Sequence, residues 1–292
     1  VVTVDAGPEG FQTSLQITAT DGISLASVEL SVGSDIAVES ISLPGTLTLT
    51  GSGGADDIIE IKSEVGFVLD GGDGADTLIG GDGNDKLIGG SGVDVLVGGA
   101  GNDEIQIEGL IGNSVIGGPD IDVVQLLGAG VLVTVDTAET IIGSDGSDSI
   151  TITSDGDVAI FGNAGDDDVL LMGTSGSTLL IDGIETIVGG DGGDSLTIEI
   201  GDIVTADGGA GIDTIAFLGH ADFVNVDLAA GTVNDAAGIS FNLDNFENVV
   251  GTDGSDTIVG SNAKNILIGG LGDDHLIGAL GTLSGGNGDD VI

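Results

Sequence analysis

The chain of 292 residues contains no cysteine, tryptophan, tyrosine or arginine, and only 7 phenylalanines and 3 prolines. Aromatic side chains supply much of the buried area of globular cores, so at 2% of this chain they do not fill an ordinary one. No run of apolar residues reaches the length of a membrane span, which argues against membrane insertion. The absence of cysteine excludes disulfides and thiolate metal sites.

Basic side chains are nearly absent as well, since Lys62, Lys86 and Lys264 stand against 49 acidic residues and the formal net charge is −46. Nucleic acid and anionic membrane surfaces are therefore excluded as partners, because both are bound through basic patches. An excess of acidic residues is common in disordered tails. Here, however, 40% of the chain is hydrophobic and the acids recur at fixed places, which favours ordered cation sites over mere solvation.

Glycine, by contrast, is abundant, with 57 residues, and it organises a short repeat. Residues 71–106 read GGDGADTLI, GGDGNDKLI, GGSGVDVLV and GGAGNDEIQ, nine-residue units without a gap. Glycine occupies the first, second and fourth places, aspartate the sixth and an aliphatic residue the eighth. Further units begin at residues 51, 117, 143, 162, 189, 208, 251, 260, 269 and 285, and only Asn265 replaces the sixth-place aspartate. A fixed short period of this kind predicts a solenoid.

Each unit combines a turn with a short strand. Glycine at three places lets the backbone adopt positive φ and turn tightly, with carbonyl oxygens directed at one point. The sixth-place aspartates bring carboxylates to that turn, and the following lone aliphatic residue suits a strand with one buried side chain. When units stack, their acidic turns stack too, and adjacent carboxylates repel unless a cation lies between them. Carboxylate and carbonyl oxygens are hard ligands that favour Ca²⁺ over magnesium or transition metals.

The pattern Gly-Gly-x-Gly-x-Asp-x-aliphatic-x resembles the RTX (repeats-in-toxin, haemolysin-type) calcium-binding nonapeptide. The resemblance implies an all-β fold, namely a right-handed parallel β-roll or β-solenoid with two nonapeptides per coil. It implies several Ca²⁺ ions held between turns on the same edge, by the sixth-place Asp side chain and by carbonyls near the first and third or fourth places. It also implies a protein that is secreted from a Gram-negative bacterium by a one-step, type I route and is extracellular or at the cell surface.

On that pattern, the predicted calcium ligands are Asp56, Gly71, Asp73, Gly74, Asp76, Gly80, Asp82, Gly83, Asp85, Gly89, Gly92, Asp94, Gly98, Gly101, Asp103, Asp122, Asp148, Asp167, Asp194, Asp213, Asp256, Asp274 and Asp290. The alternative is that each Asp caps its own turn through backbone hydrogen bonds without a metal. Third-place acids such as Asp73 and Asp82 either add oxygens at the rim or face water. No catalytic residue and no other cofactor is predicted.

The repeat also predicts the organisation of the chain. Residues 1–50 are expected to form an N-terminal β-strand cap or the end of a preceding β-module, and residues 51–292 the calcium-binding solenoid. Within the solenoid, regular β-roll is expected at 71–106 and 251–292, and broader coils at 107–250. The core of the stretch from 208 to 251, which has no second loop, is expected to use Phe217, Phe223, Phe241 and Phe246.

Three glutamates lie four residues before a glycine turn, at Glu139, Glu185 and Glu247. They either replace the sixth-place Asp of degenerate units or form a solvated face, and the sequence favours the solvated face. His220 and His275 are too isolated to make a zinc site, and His275, at the seventh place of its unit, is expected to point outward.

The sequence favours a function without catalysis, because it has no Gly-x-Ser-x-Gly elbow, no His-Glu-x-x-His pair and no phosphate loop with its lysine. We predict a calcium-binding structural module of a secreted protein, such as a surface layer, adhesin or extracellular filament, with possible end-to-end self-association or contacts to other surface proteins. The alternative is the calcium-dependent folding and secretion domain of an exoenzyme, such as a protease, lipase or polysaccharide-modifying enzyme. The chain starts without Met and stops inside a repeat, so we expect a segment of a longer or processed polypeptide.

Overall fold

The computed structural model describes residues 13–14, 29–31, 36–38, 47–50, 58–61, 66–109, 112–198, 205–217, 222–278 and 280–292. The predictions for Asp56 and His220 lie outside these residues. The chain divides into two compact units, Val1–Gly146 and Ser147–Ile292, and each is a stack of short strands.

The first unit alternates along the chain between two sheets. Its strands are β1 Thr13–Ser14, β2 Glu29–Ser31, β3 Ile36–Val38, β4 Leu47–Thr50, β5 Ile58–Ile61, β6 Phe67–Asp70, β7 Thr77–Gly81, β8 Lys86–Ile88, β9 Val95–Gly99, β10 Glu104–Glu108, β11 Asn113–Ile116, β12 Val123–Leu127, β13 Leu132–Asp136 and β14 Thr140–Ile142. The odd-numbered strands form one sheet in chain order and the even-numbered strands form the other. Because each strand pairs in parallel with the strand one coil away, the unit is a β-solenoid.

The eighth-place aliphatic residues form the core of this unit. Leu78 of β7 pairs with Leu96 of β9, and Leu87 of β8 pairs with Ile105 of β10, so identical places of the repeat stack directly on one another. All four side chains are completely buried. Because successive strand residues point to opposite faces, one aliphatic place per repeat is enough to give each coil a buried row.

The second unit has the same two-sheet plan. Its strands are β15 Ser149–Ile152, β16 Asp157–Phe161, β17 Asp168–Leu171, β18 Thr178–Asp182, β19 Thr186–Val188, β20 Ser195–Ile198, β21 Thr205–Asp207, β22 Thr214–Phe217, β23 Val224–Asp227, β24 Thr232–Asp235, β25 Ser240–Asp244, β26 Asn248–Val250, β27 Thr257–Val259, β28 Asn265–Leu271, β29 His275–Ile277 and β30 Gly281–Asn287. One sheet has the order β15-β17-β19-β21-β25-β24-β23-β27-β29, and the other β16-β18-β20-β22-β26-β28-β30.

The stretch after residue 208 departs from the parallel pattern. β23, β24 and β25 form an antiparallel meander, which is inserted in one sheet between β21 and β27, whereas β22 pairs directly with β26 in the other sheet. Phe217, Phe241 and Phe246 are buried there, as predicted. The prediction for Phe223 is wrong, because the inward place at the start of β23 belongs to Val224 and the ring of Phe223 is 41% exposed.

The predicted fold class is confirmed, since every regular element among the described residues is a strand and the stacked sheets are parallel apart from the meander. Within the same ranges, no helix has the length and apolar character needed to cross a membrane. The predicted boundaries at 50, 107 and 251 stay predictions.

Candidate metal sites at the glycine turns

The sixth-place aspartates lie at the entrance of the strands. Asp76 directly precedes β7, Asp85 precedes β8, Asp94 precedes β9 and Asp103 precedes β10. Each is at most 3% exposed, although a carboxylate is rarely buried without a partner. The glycine turn lets the chain fold back over the carboxylate, and the next coil covers it from the other side.

At Asp85, Asp94 and Asp103, one carboxylate oxygen accepts a hydrogen bond from the preceding coil. The backbone N–H of Asp85 donates to Oδ1 of Asp103 over 2.7 Å, and that of Asp103 donates to Oδ1 of Asp122 over 2.8 Å. On the other edge, the N–H of Asp76 donates to Oδ1 of Asp94 over 3.0 Å. The same bond links Asp148 to Asp167, Asp194 to Asp213, Asp256 to Asp274 and Asp274 to Asp290. We call these runs the aspartate ladders.

The second carboxylate oxygen is buried and accepts no hydrogen bond at many of these positions. Among the described residues this holds for Oδ2 of Asp85, Asp94, Asp103, Asp122, Asp167, Asp213 and Asp274. A buried carboxylate oxygen without a donor is costly, since removal from water is not compensated. Such atoms therefore fit a bound cation, which supplies the missing positive charge.

Backbone carbonyls adjoin these oxygens. A Cβ atom placed on Gly80 would lie 2.4 Å from Oδ2 of Asp85 and 2.5 Å from the carbonyl oxygen of Gly98, one coil further on. The first-place glycines Gly89 and Gly98 abut the carboxylates of their own units in the same way. Among the described residues, no three side chains of His, Cys, Asp or Glu gather at metal-binding distance. A cation here would therefore take much of its shell from carbonyls, which suits calcium.

Burial raises the pKa of these carboxyl groups. The pKa of Asp85 and that of Asp103 rise from the ordinary value of 3.8 to about 6, because desolvation disfavours the charged form more than one backbone hydrogen bond favours it. The pKa of Asp122, Asp167 and Asp213 is also raised to about 6, by the same cause, with neighbouring carboxylates raising it further. A cation between the coils would oppose both causes.

The backbone at the second place separates two kinds of turn. In turns whose Asp has a free Oδ2, the second residue has positive φ, as in Gly81 (115°), Gly90 (89°), Gly99 (111°), Gly118 (120°), Asn163 (71°), Gly209 (86°) and Gly270 (122°). In the turns at 189 and 251, the second residue instead donates its N–H inward, from Gly190 to Oδ2 of Asp194 over 2.9 Å and from Thr252 to Oδ2 of Asp256 over 2.6 Å. Asp256 also accepts from Val224 N–H and the Thr252 hydroxyl, so capping describes its turn.

The other predicted residues have diverse environments. Fourth-place glycines stack between coils, with Gly92 against the carbonyl of Gly74 and Gly101 against that of Gly83. The exposed carboxylate of Asp73 accepts a 2.6 Å hydrogen bond from the Ser91 hydroxyl. Asp82 and His275 are exposed, as the outward interpretation requires, and Asp290 is only half-buried. The specific ligand assignments stay predictions.

Sequence reasoning missed Asn113, and it favoured the wrong environment for the three glutamates. Asn113 accepts the N–H of Asp94 over 2.7 Å and so continues a ladder. Glu139, Glu185 and Glu247 accept the N–H of Asp122, Asp167 and Asp213 respectively, so they are not merely solvated. The available signal was position, since each of these residues lies four places before a glycine turn.

The RTX calcium-binding nonapeptide repeat, in four copies, is the family model that matches the chain, at residues 70–105 and 250–282. No curated protein matches the chain. The first matched segment contains Asp76, Asp85, Asp94 and Asp103, and the second contains Asp256 and Asp274. At Asp85, Asp94, Asp103 and Asp274, the carboxylate oxygens that accept no hydrogen bond among the described residues fit the ion that this repeat binds. The chain carries RTX calcium-binding nonapeptide repeats.

Proposed function

We propose that this chain is a calcium-folded structural module of a secreted Gram-negative protein and has no catalytic activity of its own. The observation that carries the proposal is the row of buried carboxylates at Asp85, Asp94 and Asp103, whose Oδ2 atoms have no hydrogen-bond donor among the described residues. These oxygens recur on both edges of the first unit, so cations would join each coil to the next along the whole stack. This role is structural, because the aspartates of the repeat contact the neighbouring coils.

The net charge supports dependence on calcium. With a charge of −46, the chain repels itself when compact, and each Ca²⁺ removes two charges at the place where the carboxylates are closest. Unpaired buried carboxylates favour the unfolded state, whereas metal binding to the folded turns contributes directly to folding. Calcium is scarce in the cytoplasm and close to millimolar outside the cell, so the chain would be exported unfolded and would fold after export.

Circular dichroism and calcium titration of the whole chain test this function. We expect strand signal with calcium, its loss with chelator and little recovery with magnesium. The variant D85N/D94N/D103N should need more calcium to fold, whereas the control E108Q/D157N/D168N, which removes the same charge from exposed strand positions, should not. Equal strand content with and without chelator would contradict the proposal.

A further inference from the structure

Three corners of the solenoid share a motif that differs from the glycine nonapeptide. They read Asp136-Thr-Ala-Glu139, Asp182-Gly-Ile-Glu185 and Asp244-Asn-Phe-Glu247, and each continues with Thr or Asn, two aliphatic residues and Gly. All three lie outside the segments matched by the RTX repeat. We call them the glutamate corners.

The backbone of the three corners is the same. The residue after the Asp is left-handed, with φ of 50° at Thr137, 65° at Gly183 and 58° at Asn245. A β-branched residue such as Thr rarely adopts positive φ, so the surrounding structure imposes this conformation. The next residue is buried in every case, as Ala138, Ile184 or Phe246. The corner is therefore anchored in the core, and its glutamate is held in a fixed place.

Each corner closes over the glycine turn of the preceding coil. The N–H of the first-place glycine donates to the carbonyl of the corner Asp, over 2.9 Å for Gly117 and Asp136 and 2.8 Å for Gly162 and Asp182. The third pair, Gly208 and Asp244, is 2.9 Å apart. A Cβ atom placed on Gly117 would lie 2.1 Å from the carbonyl oxygen of Thr137 and 2.6 Å from Oδ2 of Asp122, so both oxygens face that glycine. The Thr137 carbonyl also accepts the N–H of Gly118 over 3.2 Å.

The glutamate completes the enclosure. Its Oε2 accepts the N–H of the sixth-place Asp, over 2.7 Å from Asp122 to Glu139, 2.6 Å from Asp167 to Glu185 and 2.9 Å from Asp213 to Glu247. The three aspartates are completely buried, and Oδ2 of each accepts no hydrogen bond among the described residues. The glutamate carboxylate thus lies at the peptide N–H of a buried aspartate, and Oδ2 of that aspartate is buried and accepts no hydrogen bond among the described residues.

We propose that each glutamate corner, together with the Asp of the preceding turn, binds one divalent cation of the calcium type, with ligands from Asp122 and Glu139, Asp167 and Glu185, and Asp213 and Glu247. The carbonyl oxygens of Thr137, Gly183 and Asn245 complete the protein share of each shell. This inference rests on the proposed function, because it assigns cation sites to coils outside the recognised repeats. Hard oxygen ligands with two negative charges suit Ca²⁺.

The chain also has two asparagines at places where other coils carry a carboxylate. Asn113 accepts the N–H of Asp94 through Oδ1 and donates its own Nδ2 to the carbonyl of Glu108 over 3.2 Å. Asn265 accepts from Ser261 N–H and donates to the carbonyl of Glu247 over 2.7 Å. In both asparagines the amide oxygen accepts a hydrogen bond and the amide nitrogen donates one, so neither group needs a metal. A neutral side chain can therefore accept the N–H, and the hydrogen bond alone does not explain why every glutamate corner carries a negative charge.

The test replaces glutamate by glutamine, which can still accept the N–H but has no charge. We compare the whole chain, the variant E139Q/E185Q and the charge-matched control E108Q/D157N by calcium equilibrium dialysis and by thermal unfolding with and without calcium. For the ions of the two altered corners, we expect roughly tenfold weaker binding in E139Q/E185Q, since ligand charge sets calcium affinity. The control should bind like the unaltered chain.

Thermal unfolding separates a cation site from a hydrogen-bond cap. Without calcium, E139Q/E185Q should be more stable than the unaltered chain, because repulsion with the buried aspartates is removed. With calcium it should be less stable, so the sign of the effect reverses. Unchanged calcium binding, or a loss of stability in both conditions, would overturn the inference while leaving calcium binding by the RTX repeats intact. Absence of calcium binding in the unaltered chain would overturn the proposed function as well.

Discussion

The second-place glycines of the turns combine an unusual backbone conformation with close stacking. Gly99 has a φ of 111°, and a Cβ atom on it would collide with the carbonyl oxygen of Gly81 in the neighbouring coil. Gly128 has nearly the same φ, 115°, but no atom of the described residues lies within 4 Å of the place its Cβ would occupy. The two positions therefore separate the effect of backbone strain from the effect of coil stacking.

We expect Gly128→Ala to destabilise the calcium-bound chain by about 1–3 kcal/mol, the usual cost of an unfavourable φ. Gly99→Ala should cost roughly 4 kcal/mol or more, because the coils must also separate. Chemical denaturation of both variants in calcium measures the difference. Similar losses in the two variants would mean that the coils do not approach as closely as the structure shows.

The sixth-place aspartates differ in how their oxygens are used. Oδ2 of Asp103 accepts no hydrogen bond among the described residues, whereas both oxygens of Asp256 accept from Thr252. Asp103→Asn should therefore reduce the number of calcium ions bound per chain, while Asp256→Asn should leave that number unchanged and lower stability by about 1 kcal/mol through the weakened cap. Equilibrium dialysis with matched thermal melts checks both. An equal loss of ions in the two variants would contradict the distinction between turns whose Asp Oδ2 accepts no hydrogen bond and turns that are capped.

The repeat predicts where the carboxylates lie but not which turns are capped. The turn at 189 reads Gly-Gly-Asp-Gly-Gly-Asp, which fits the pattern as well as the turn at 80 does, yet Gly190 donates to Asp194 whereas Gly81 has a φ of 115°. Glycine allows both conformations, so the choice depends on neighbouring coils rather than on the residue. The role of the corner glutamates was not predicted for a related reason. A glutamate four places before a turn looks exposed in the sequence, and only the stacking of the coils brings it to the Asp of the preceding turn.

At the scale of strands, the antiparallel meander is the departure from the repeat. Phe241 of β25 is 4% exposed, and its ring centroid lies 6.3 Å from that of Phe217 at an angle of 54°. This pair fills the space between the meander and the strands of the other sheet, where no glycine repeat sets the packing. In this stretch, buried aromatic rings take the place of the regular aliphatic rows.

Phe241→Ala should destabilise the chain by about 3–5 kcal/mol in calcium, because a large buried ring is replaced by a cavity. Phe223→Ala, at a neighbouring but 41% exposed position, should cost less than about 1 kcal/mol. Denaturant unfolding of the two variants is the measurement. If Phe223→Ala were the more damaging change, the orientation of β23 would have to be the opposite of the one described.

The strands themselves were largely predictable, and their pairing was only partly so. A single aliphatic place in each nonapeptide gives the buried rows of Leu78 with Leu96 and Leu87 with Ile105, because the repeat fixes the register once coils stack. The meander follows no such rule. Alternation in Val224-Asn-Val-Asp227 predicts a strand but does not tell whether its neighbour runs parallel or antiparallel. That choice depends on the turns at 228–231 and 236–239. In these turns the N–H of Ala229 donates to the Asp227 carboxylate and the N–H of Ile239 donates to the Asp235 carboxylate.

At the scale of the molecule, the buried carboxyl groups set how stability depends on pH. Asp85, Asp103, Asp122, Asp167 and Asp213 have a pKa raised from 3.8 to about 6 by burial. Between these values the folded chain without calcium binds more protons than the unfolded chain. Stability without calcium is therefore greatest at the acidic end of this window and is lost as the pH rises through about 6.

Bound calcium should reverse that dependence, because a cation favours the ionised carboxylates and protons must then compete with it. Without calcium, we expect the strand signal in circular dichroism and the melting temperature to fall from about pH 5 to about pH 7, and with millimolar calcium to rise over the same range. Both pH values lie above the sequence isoelectric point of about 4.1, so precipitation near zero net charge is avoided. The control D85N/D103N should show a shallower fall without calcium, since two of the titrating groups are gone. Slopes of the same sign in both conditions would mean that the ions do not bind at the buried carboxylates, and the coils would then be held together by their aliphatic rows and the hydrogen bonds between their strands.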